Sequence, residues 1–423
     1  MFLHNQTSPT RLWYVVRTLV LISEAVPTTV AHTGPKATDD IRVQLVNHRD
    51  GQRSYLVLDV ASGSVHNRAD RFLSSFCEGT QRTYAYHLVD HLRWLAVNGY
   101  REDSITIQDL LRYLALCGSQ HYGPLGIPWR ARPLGESAQA VRATCLKGYY
   151  LDLTTRENVN DKLRAALSTR RLPNDRARDW SMLGHLVTSI GSNPLSHGVP
   201  PRKHPRMLPD GTCAAMLGAV RTARDRMIVT WLSDSGMRIG ELCGLWFCDL
   251  HLRKDHPCGE RKGPHAHVVK RLNPNRASAK RGLPATVVDG IVSGGTVRRA
   301  SPAMVASYHE YLAEDYHRVR ALAQTDLVLV QLVGERIGDA LSTHGARQMI
   351  ERAGRRAGLG LIKPHAFRHT WATALTEATG GNTKAVADEG GWMSARTVET
   401  TYAHLAGDPA LEAALNEIWS EQA

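Results

Sequence analysis

Between Gly198 and Pro209 the chain reads GVPPRKHPRMLP, with four prolines in twelve residues. No helix or sheet strand runs through such a stretch. Each proline lacks the N–H that a ladder needs, and each pushes the residue before it towards extended backbone. The 423-residue chain is therefore cut into two parts, each long enough for its own core at 43% hydrophobic content. The boundaries expected on this basis are an N-terminal extension over 1–65, a helical domain over 66–200 and a second domain over 201–423.

The extension holds two clusters of β-formers, Ile41–Val46 and Tyr55–Val60, which allow a small hairpin. From residue 66 the pattern turns helical. In Thr80–Val97 the apolar residues Tyr84, Leu88, Leu92 and Leu95 recur at one helix face, and Gly99 ends the run. Thr106-Ile-Gln-Asp109 reads as a capping box before Leu110, Leu111 and Leu114. A further helix is expected over Ser137–Leu151, with Val141, Cys145 and Tyr149 on one stripe, and another near Asp179–Ile190. Beyond the linker, helices alternate with a few strands. His265–Val269 and Ala285–Val288 are the strand candidates, with a basic turn between them. Gly345–Ala357 and Pro409–Ser420 read as helices.

Composition narrows the partners. A formal charge of +12 and a pI near 9.5 suit a polyanion, and the basic linker suits a strap on one as well as a plain connector. Seven cysteines without framework spacing point to a reducing, cytoplasmic setting rather than a disulfide scaffold. No apolar run approaches the ~18 residues of a membrane span; Arg17 splits the apolar run Leu12–Ser23, which reads better as a short helix or an over-extended start site than as a signal segment. Cys243, Cys248, His251, His256, Cys258, His265 and His267 crowd one segment, but Cys-x2–4-Cys spacing is missing. The expectation is core cysteines and surface histidines, with no metal.

Several phrases in the second half carry chemistry. Arg238 follows Gly236 at a turn and opens a helix whose buried stripe is Leu242, Leu245 and Trp246. His365 and Arg368 are three apart after Pro364, so they share one helix face, while Phe367, Trp371 and Leu375 make the opposite, buried face. Lys280 sits in the basic turn, with Lys262 and Lys270 as alternatives. Tyr402 lies four residues after Val398. Arginine forks pair with phosphate oxygens and stay charged; histidine moves protons near neutrality; tyrosine is a latent nucleophile. Singly, each residue has an ordinary explanation as a surface ion, a solvated helix face or a core aromatic.

Taken in order, Arg238, Lys280, His365, Arg368 and Tyr402 resemble the active site of the tyrosine recombinases, the phage-integrase family. The resemblance is strong over 225–405 and weak before that. It implies a mainly α fold with a small antiparallel sheet: an N-terminal helical core-binding domain and a mixed α/β catalytic domain. It also implies a site-specific recombinase, from a mobile element, that integrates or excises DNA. Tyr402 would attack a phosphodiester to give a 3′-phosphotyrosyl link, Arg238 and Arg368 would hold the non-bridging oxygens, His365 would take the phenol proton, and Lys280 would protonate the leaving 5′-oxygen. Glu241 would support the network. Trp392 stands where the family usually has a histidine, in Gly390-Gly-Trp392 rather than Leu-Gly-His; it donates one hydrogen bond but cannot shuttle a proton. The implied partner is double-stranded DNA, bound by a homotetramer on two sites with Leu411–Ser420 packed on a neighbour, alongside accessory DNA-bending proteins. No cofactor, metal or membrane is implied. The competing readings are a decayed, non-catalytic DNA-binding relative and a type IB topoisomerase-like activity.

Overall fold

The computed structural model describes residues 40–49, 51–121, 123, 126–171, 190–196 and 206–403. The helices expected near Asp179–Ile190 and over Pro409–Ser420, the trans-packing stripe Leu411–Ser420, the segment Leu12–Ser23 and most of the linker lie outside these residues. The chain divides into two compact units, Met1–Pro201 and Arg202–Ala423. Among the described residues no helix is long and apolar enough to cross a membrane.

In the first unit, β1 (Ile41–Asn47) and β2 (Arg53–Asp59) pair antiparallel, Ile41 facing Asp59. Among the described residues five helices follow, α1 (Asn67–Leu73), α2 (Glu78–Asn98), α3 (Ile107–Gly118), α4 (Glu136–Glu157) and α5 (Asp161–Leu167), and then two short antiparallel strands, β3 (Arg170–Arg171) and β4 (Ile190–Gly191). Tyr55 and Val57 of β2 are buried in the same apolar cluster as Leu88, Leu92 and Leu95 of α2. The hairpin is thus part of the helical core, although residues 1–65 read as an extension. Gly99 caps α2 in the left-handed region (φ 68°), and Thr106 and Asp109 form the expected reciprocal cap of α3. On α4, Cys145 and Tyr149 face inward, but Val141 is exposed. Its neighbour Arg142 turns in instead, because Asp90 and the Tyr113 hydroxyl offer its guanidinium partners inside the bundle.

The second unit begins with α6 (Thr212–Ala219), α7 (Ala223–Ser235) and the single turn α8 (Ile239–Leu242). Five strands follow: β5 (Leu250–His251), β6 (His265–Val268), β7 (Ala285–Val288), β8 (Ile291–Gly294) and β9 (Thr296–Arg299). The main helices after them are α9 (Pro302–Tyr311), α10 (Thr343–Arg356), α11 (Pro364–Ala378), α12 (Thr383–Gly390) and α13 (Ala395–Val398), the last running into a π-helical turn at Glu399–Ala403. The strand candidates β6 and β7 do not pair with each other. The sheet order is β5-β6-β9, and β7 pairs with β8. Gly294 and Gly295 both take positive φ (83° and 72°). A Cβ on either would meet a backbone oxygen, Pro284 O at 2.5 Å or Val268 O at 2.9 Å. This tight reversal lays β9 on β6 and leaves Lys280 in the irregular segment between two sheets. One large core surrounds α7, where Trp231 is fully buried and donates its indole N–H to Met304 O. A smaller cluster gathers Ala372, Val386, Ala387, Val398 and Tyr402.

Candidate active site

The site starts from the end of α7. Gly236 caps that helix at φ 58°, and a Cβ there would lie 2.3 Å from the Trp371 ring. Only glycine lets the chain turn this closely over α11. Arg238 follows as the N-cap of α8; its backbone N–H donates to Glu241 Oε2 (3.0 Å) and its Nη1 to Glu241 Oε1 (2.6 Å). The helix expected to run on through Trp246 stops at Leu242, because the chain turns into a 3₁₀ segment at Phe247–Asp249. Leu242 and Leu245 are buried as anticipated. Glu241 is itself buried, and Arg298 Nη2 lies 3.5 Å from its second oxygen. Burial opposes the carboxylate charge, but Arg298 and Arg238 outweigh it and hold the pKa below the ordinary value.

Arg368 on α11 is 1% exposed. Its two terminal nitrogens donate to backbone carbonyls, Nη1 to Gly236 O (2.7 Å) and Nη2 to Gly390 O (2.8 Å). Arg298 donates to that same Gly390 carbonyl. The guanidinium carbon of Arg368 sits 3.7 Å from the centre of the Trp392 ring, a cation–π contact in a dry setting. Trp392 stacks in turn near Trp371 (6.4 Å, 13°). Trp392 is therefore one wall of the arginine's slot. Burial, then the charges of Arg238 and Arg298, push the Arg368 pKa down to about 9, which still leaves it charged at neutral pH.

Tyr402 lies on the π-helical turn and is 2% exposed. Burial raises its pKa, with Arg368 and Arg238 acting against the rise. Its hydroxyl pairs with His369 Nδ1 at 2.9 Å. The family resemblance gives the phenol proton to His365, one helical turn earlier; the two imidazoles are T-shaped neighbours at 4.3 Å. His369 was visible in the phrase His365-Ala-Phe-Arg-His369 as an i, i+4 companion, but its partner is 33 residues away. Burial, then His365 and Arg368, lower the His369 pKa to about 4, so it is neutral and able to accept a proton.

His365 lines a cleft of about 510 Å³ together with Arg238, Ile239, Arg347, Glu351, Lys363 and Pro364. Burial lowers its pKa, followed by Arg368, Arg238 and Lys280. Those three cations thus act on one imidazole. Lys280 is exposed. Its neighbour Arg281 donates to Trp392 O (3.3 Å), and Arg271 is held by Asp249 through two 2.7 Å bonds. Arg347 and Lys363 bring further positive charge to the cleft and were not singled out in the sequence, because neither belongs to a recognisable phrase. The arrangement is an anion slot beside a buried phenol–imidazole pair.

Residues 297–408 match the phage integrase family. The chain is 25% identical over 258 residues to the tyrosine recombinase XerC of Corynebacterium efficiens, an alignment covering 60% of this chain and 71% of the relative. Its fold is similar to that of the XerH site-specific recombinase bound to a palindromic difH substrate (TM-score 0.51, 17% identity, 81% of each chain). A lambda integrase dimer bound to a COC' core site also aligns, at a TM-score of 0.48 and 13% identity, over 81% of this chain and 95% of that one. The 297–408 segment thus matches a phage integrase family domain, and the chain is similar to a tyrosine recombinase over a longer stretch.

Proposed function

We propose that this chain is a site-specific recombinase that cuts DNA with Tyr402, and that the gene belongs to a mobile element. The observation that carries the reading is the Tyr402 hydroxyl bonded to neutral His369, with burial raising the phenol's pKa and the buried Arg368 opposing that rise. In the proposed step the Tyr402 oxygen forms a bond to phosphorus and the bond to the 5′-oxygen breaks, leaving a 3′-phosphotyrosyl link. The phenol proton passes to His369, and Lys280 supplies a proton to the departing oxygen. Arg238 and His365, on the cleft wall, face the non-bridging oxygens, where fixed donors stabilise the charge that builds in the transition state. Arg368 holds the slot's shape and field. Glu241 positions Arg238, and Trp392 positions Arg368. Rejoining is the reverse attack by a 5′-hydroxyl and needs no external energy source, because the phosphotyrosyl bond conserves that of the phosphodiester.

The helical first unit is proposed to grip the same duplex, with assembly as a tetramer on two sites. The replacement of the family's usual histidine by Trp392 is compatible with chemistry in this reading, since Trp392 covers Arg368 rather than standing in for a proton carrier.

The test uses nicked duplexes from the ends of the element, mixed with the wild-type protein and with Tyr402→Phe and run on a denaturing gel. A covalent protein–DNA band is expected for wild type alone, with equal binding by both proteins. Binding without a band in wild type would instead establish a non-catalytic DNA-binding protein. A band with relaxation of supercoils but no strand exchange would mark a topoisomerase-like activity.

A further inference from the structure

The histidines of the second unit that sequence spacing left on the surface are inside it. His251, His265 and His267 are at most 2% exposed, and Cys258 is half-buried beside them. One ligand atom from each of the four lies within 4.8 Å of every other. His251 and His265 face each other across the β5–β6 ladder, and His267 is two residues further along β6, on the same face. The loop between the strands returns Cys258 to them.

The outer nitrogens identify the inner ones. His251 Nε2 lies 3.2 Å from Cys248 O, His265 Nδ1 2.7 Å from Gly263 O, and His267 Nδ1 2.7 Å from Gly294 O. A carbonyl only accepts, so each of these nitrogens carries the ring proton. The remaining nitrogen of each ring then bears a lone pair. Two of these bare nitrogens, His251 Nδ1 and His265 Nε2, face each other at 3.3 Å, and His265 Nε2 is 3.2 Å from Cys258 Sγ. The third, His267 Nε2, is buried with no hydrogen-bond partner. Lone pairs do not attract one another, and a buried acceptor left unmatched is costly. A cation placed among them resolves both problems.

We propose that His251, Cys258, His265 and His267 form a structural zinc site. Zinc takes nitrogen ligands at ~2.0–2.1 Å and sulfur at ~2.3 Å in a tetrahedron, which sets ligand–ligand edges of about 3.3–3.6 Å, close to the 3.2 and 3.3 Å separations here. Three imidazoles each tied to a backbone carbonyl through the outer N–H are the supporting shell that such sites use. Cys258 loses its thiol proton to solvent on binding and coordinates as thiolate. Four protein ligands close the coordination sphere, so the ion serves folding rather than chemistry. His256 lies flat on His251, its ring 3.5 Å away, and lids the cluster. The ion would pin β5, β6 and their loop together. Because β6 pairs with β9, it would also steady Arg298 under Glu241 and Gly390.

The test is elemental analysis of the full-length protein carrying no histidine tag, after incubation with zinc chloride and removal of free metal. One zinc per chain is expected, falling below about a tenth in His265→Ala/His267→Ala. In Cys258→Ser, a near-isosteric change at a half-exposed side chain, zinc should dissociate at least tenfold faster in the presence of a chelator. Cobalt-loaded wild type should show the intense visible bands of tetrahedral coordination with a thiolate charge-transfer band that Cys258→Ser lacks. Wild type without zinc, or a double variant that keeps it, would overturn the site. A cobalt spectrum of octahedral type, or one unchanged in Cys258→Ser, would overturn this ligand set.

Discussion

Arg142 in the first unit and Arg368 in the second are both almost wholly buried, at 2% and 1% exposure. Their surroundings differ in one respect. Arg142 meets the carboxylate of Asp90, and Tyr113 and Trp129 also donate to that acid. Burial works against its charge, but Tyr113 and Asp90 together raise its pKa above the ordinary value. Arg368 meets two carbonyls and an indole face instead, and its pKa is lowered. The first arginine is neutralised and holds a bundle together. The second keeps an unbalanced positive field in a dry slot, a costly arrangement unless an anion comes to use it. A buried arginine by itself says nothing about function; what neutralises it does.

This contrast breaks if the two residues respond alike to substitution. Arg368→Lys keeps the charge but cannot span both carbonyls. The rate of covalent complex formation on a nicked duplex should fall ~10²–10³-fold, as for loss of one preorganised donor, with the melting temperature shifted by only a few degrees. A near-normal rate would remove Arg368 from the transition-state field. Arg142→Met should do the reverse. It leaves Asp90 without its main partner, a loss of about 3 kcal/mol visible as a lower urea midpoint, while the protein that stays folded cuts at the wild-type rate. A catalytic defect at unchanged stability would refute the division of roles.

The smallest effect separates the units by pH. His91 in the first unit is fully buried, bonded through Nε2 to the Tyr150 hydroxyl, and burial lowers its pKa to about 3. Unfolded, it titrates near 6.5. Between those values the unfolded chain binds more protons than the folded one, so stability rises with pH across that window and falls on acidification from 6.5. His91→Gln should flatten this slope in thermal melts between pH 6.5 and 4. His369 lies in the same range, yet its signature should be kinetic: single-turnover cutting should hold steady down to about pH 5 and drop towards 4 as the imidazole loses its capacity to accept. A melt slope unaltered by His91→Gln, or a rate that falls already at pH 6.5, would sink this assignment.

Much of this was legible in the sequence wherever the cause was local. The Thr106–Asp109 cap and the Gly99 stop depend on residues within one or two turns of each other. On α11 only Phe367 of the expected face is fully buried, and Trp371 and Leu375 are half-buried. Arg368, expected to face a cleft beside His365, is enclosed because Gly236 and Gly390 take its guanidinium. The individual helices and strand candidates followed from local periodicities, while the mainly α architecture with a small antiparallel sheet came from the family resemblance. What escaped depended on contacts between distant segments. Val141 yielded the interior to Arg142 because Asp90 lies on another helix. β6 and β7 part company because two glycines bring β9 back. His369 gains meaning only from Tyr402, and the histidine–cysteine cluster only from strand register, since ligands spread over 251–267 match no spacing rule until the sheet folds them together. The family resemblance supplied a site that local physics alone would have left as five ordinary residues.

The burial of Tyr402 has a consequence for timing. An oxygen packed against His369 on a wide π-helical turn cannot touch a phosphate until that turn gives way. On the proposed chemistry, occupancy and cutting are therefore separate events: raising the DNA concentration fills the protein without hastening the first break. Until the turn opens, the protein sits on its site as a silent passenger, in the way a repressor does, and the genome beneath it stays whole.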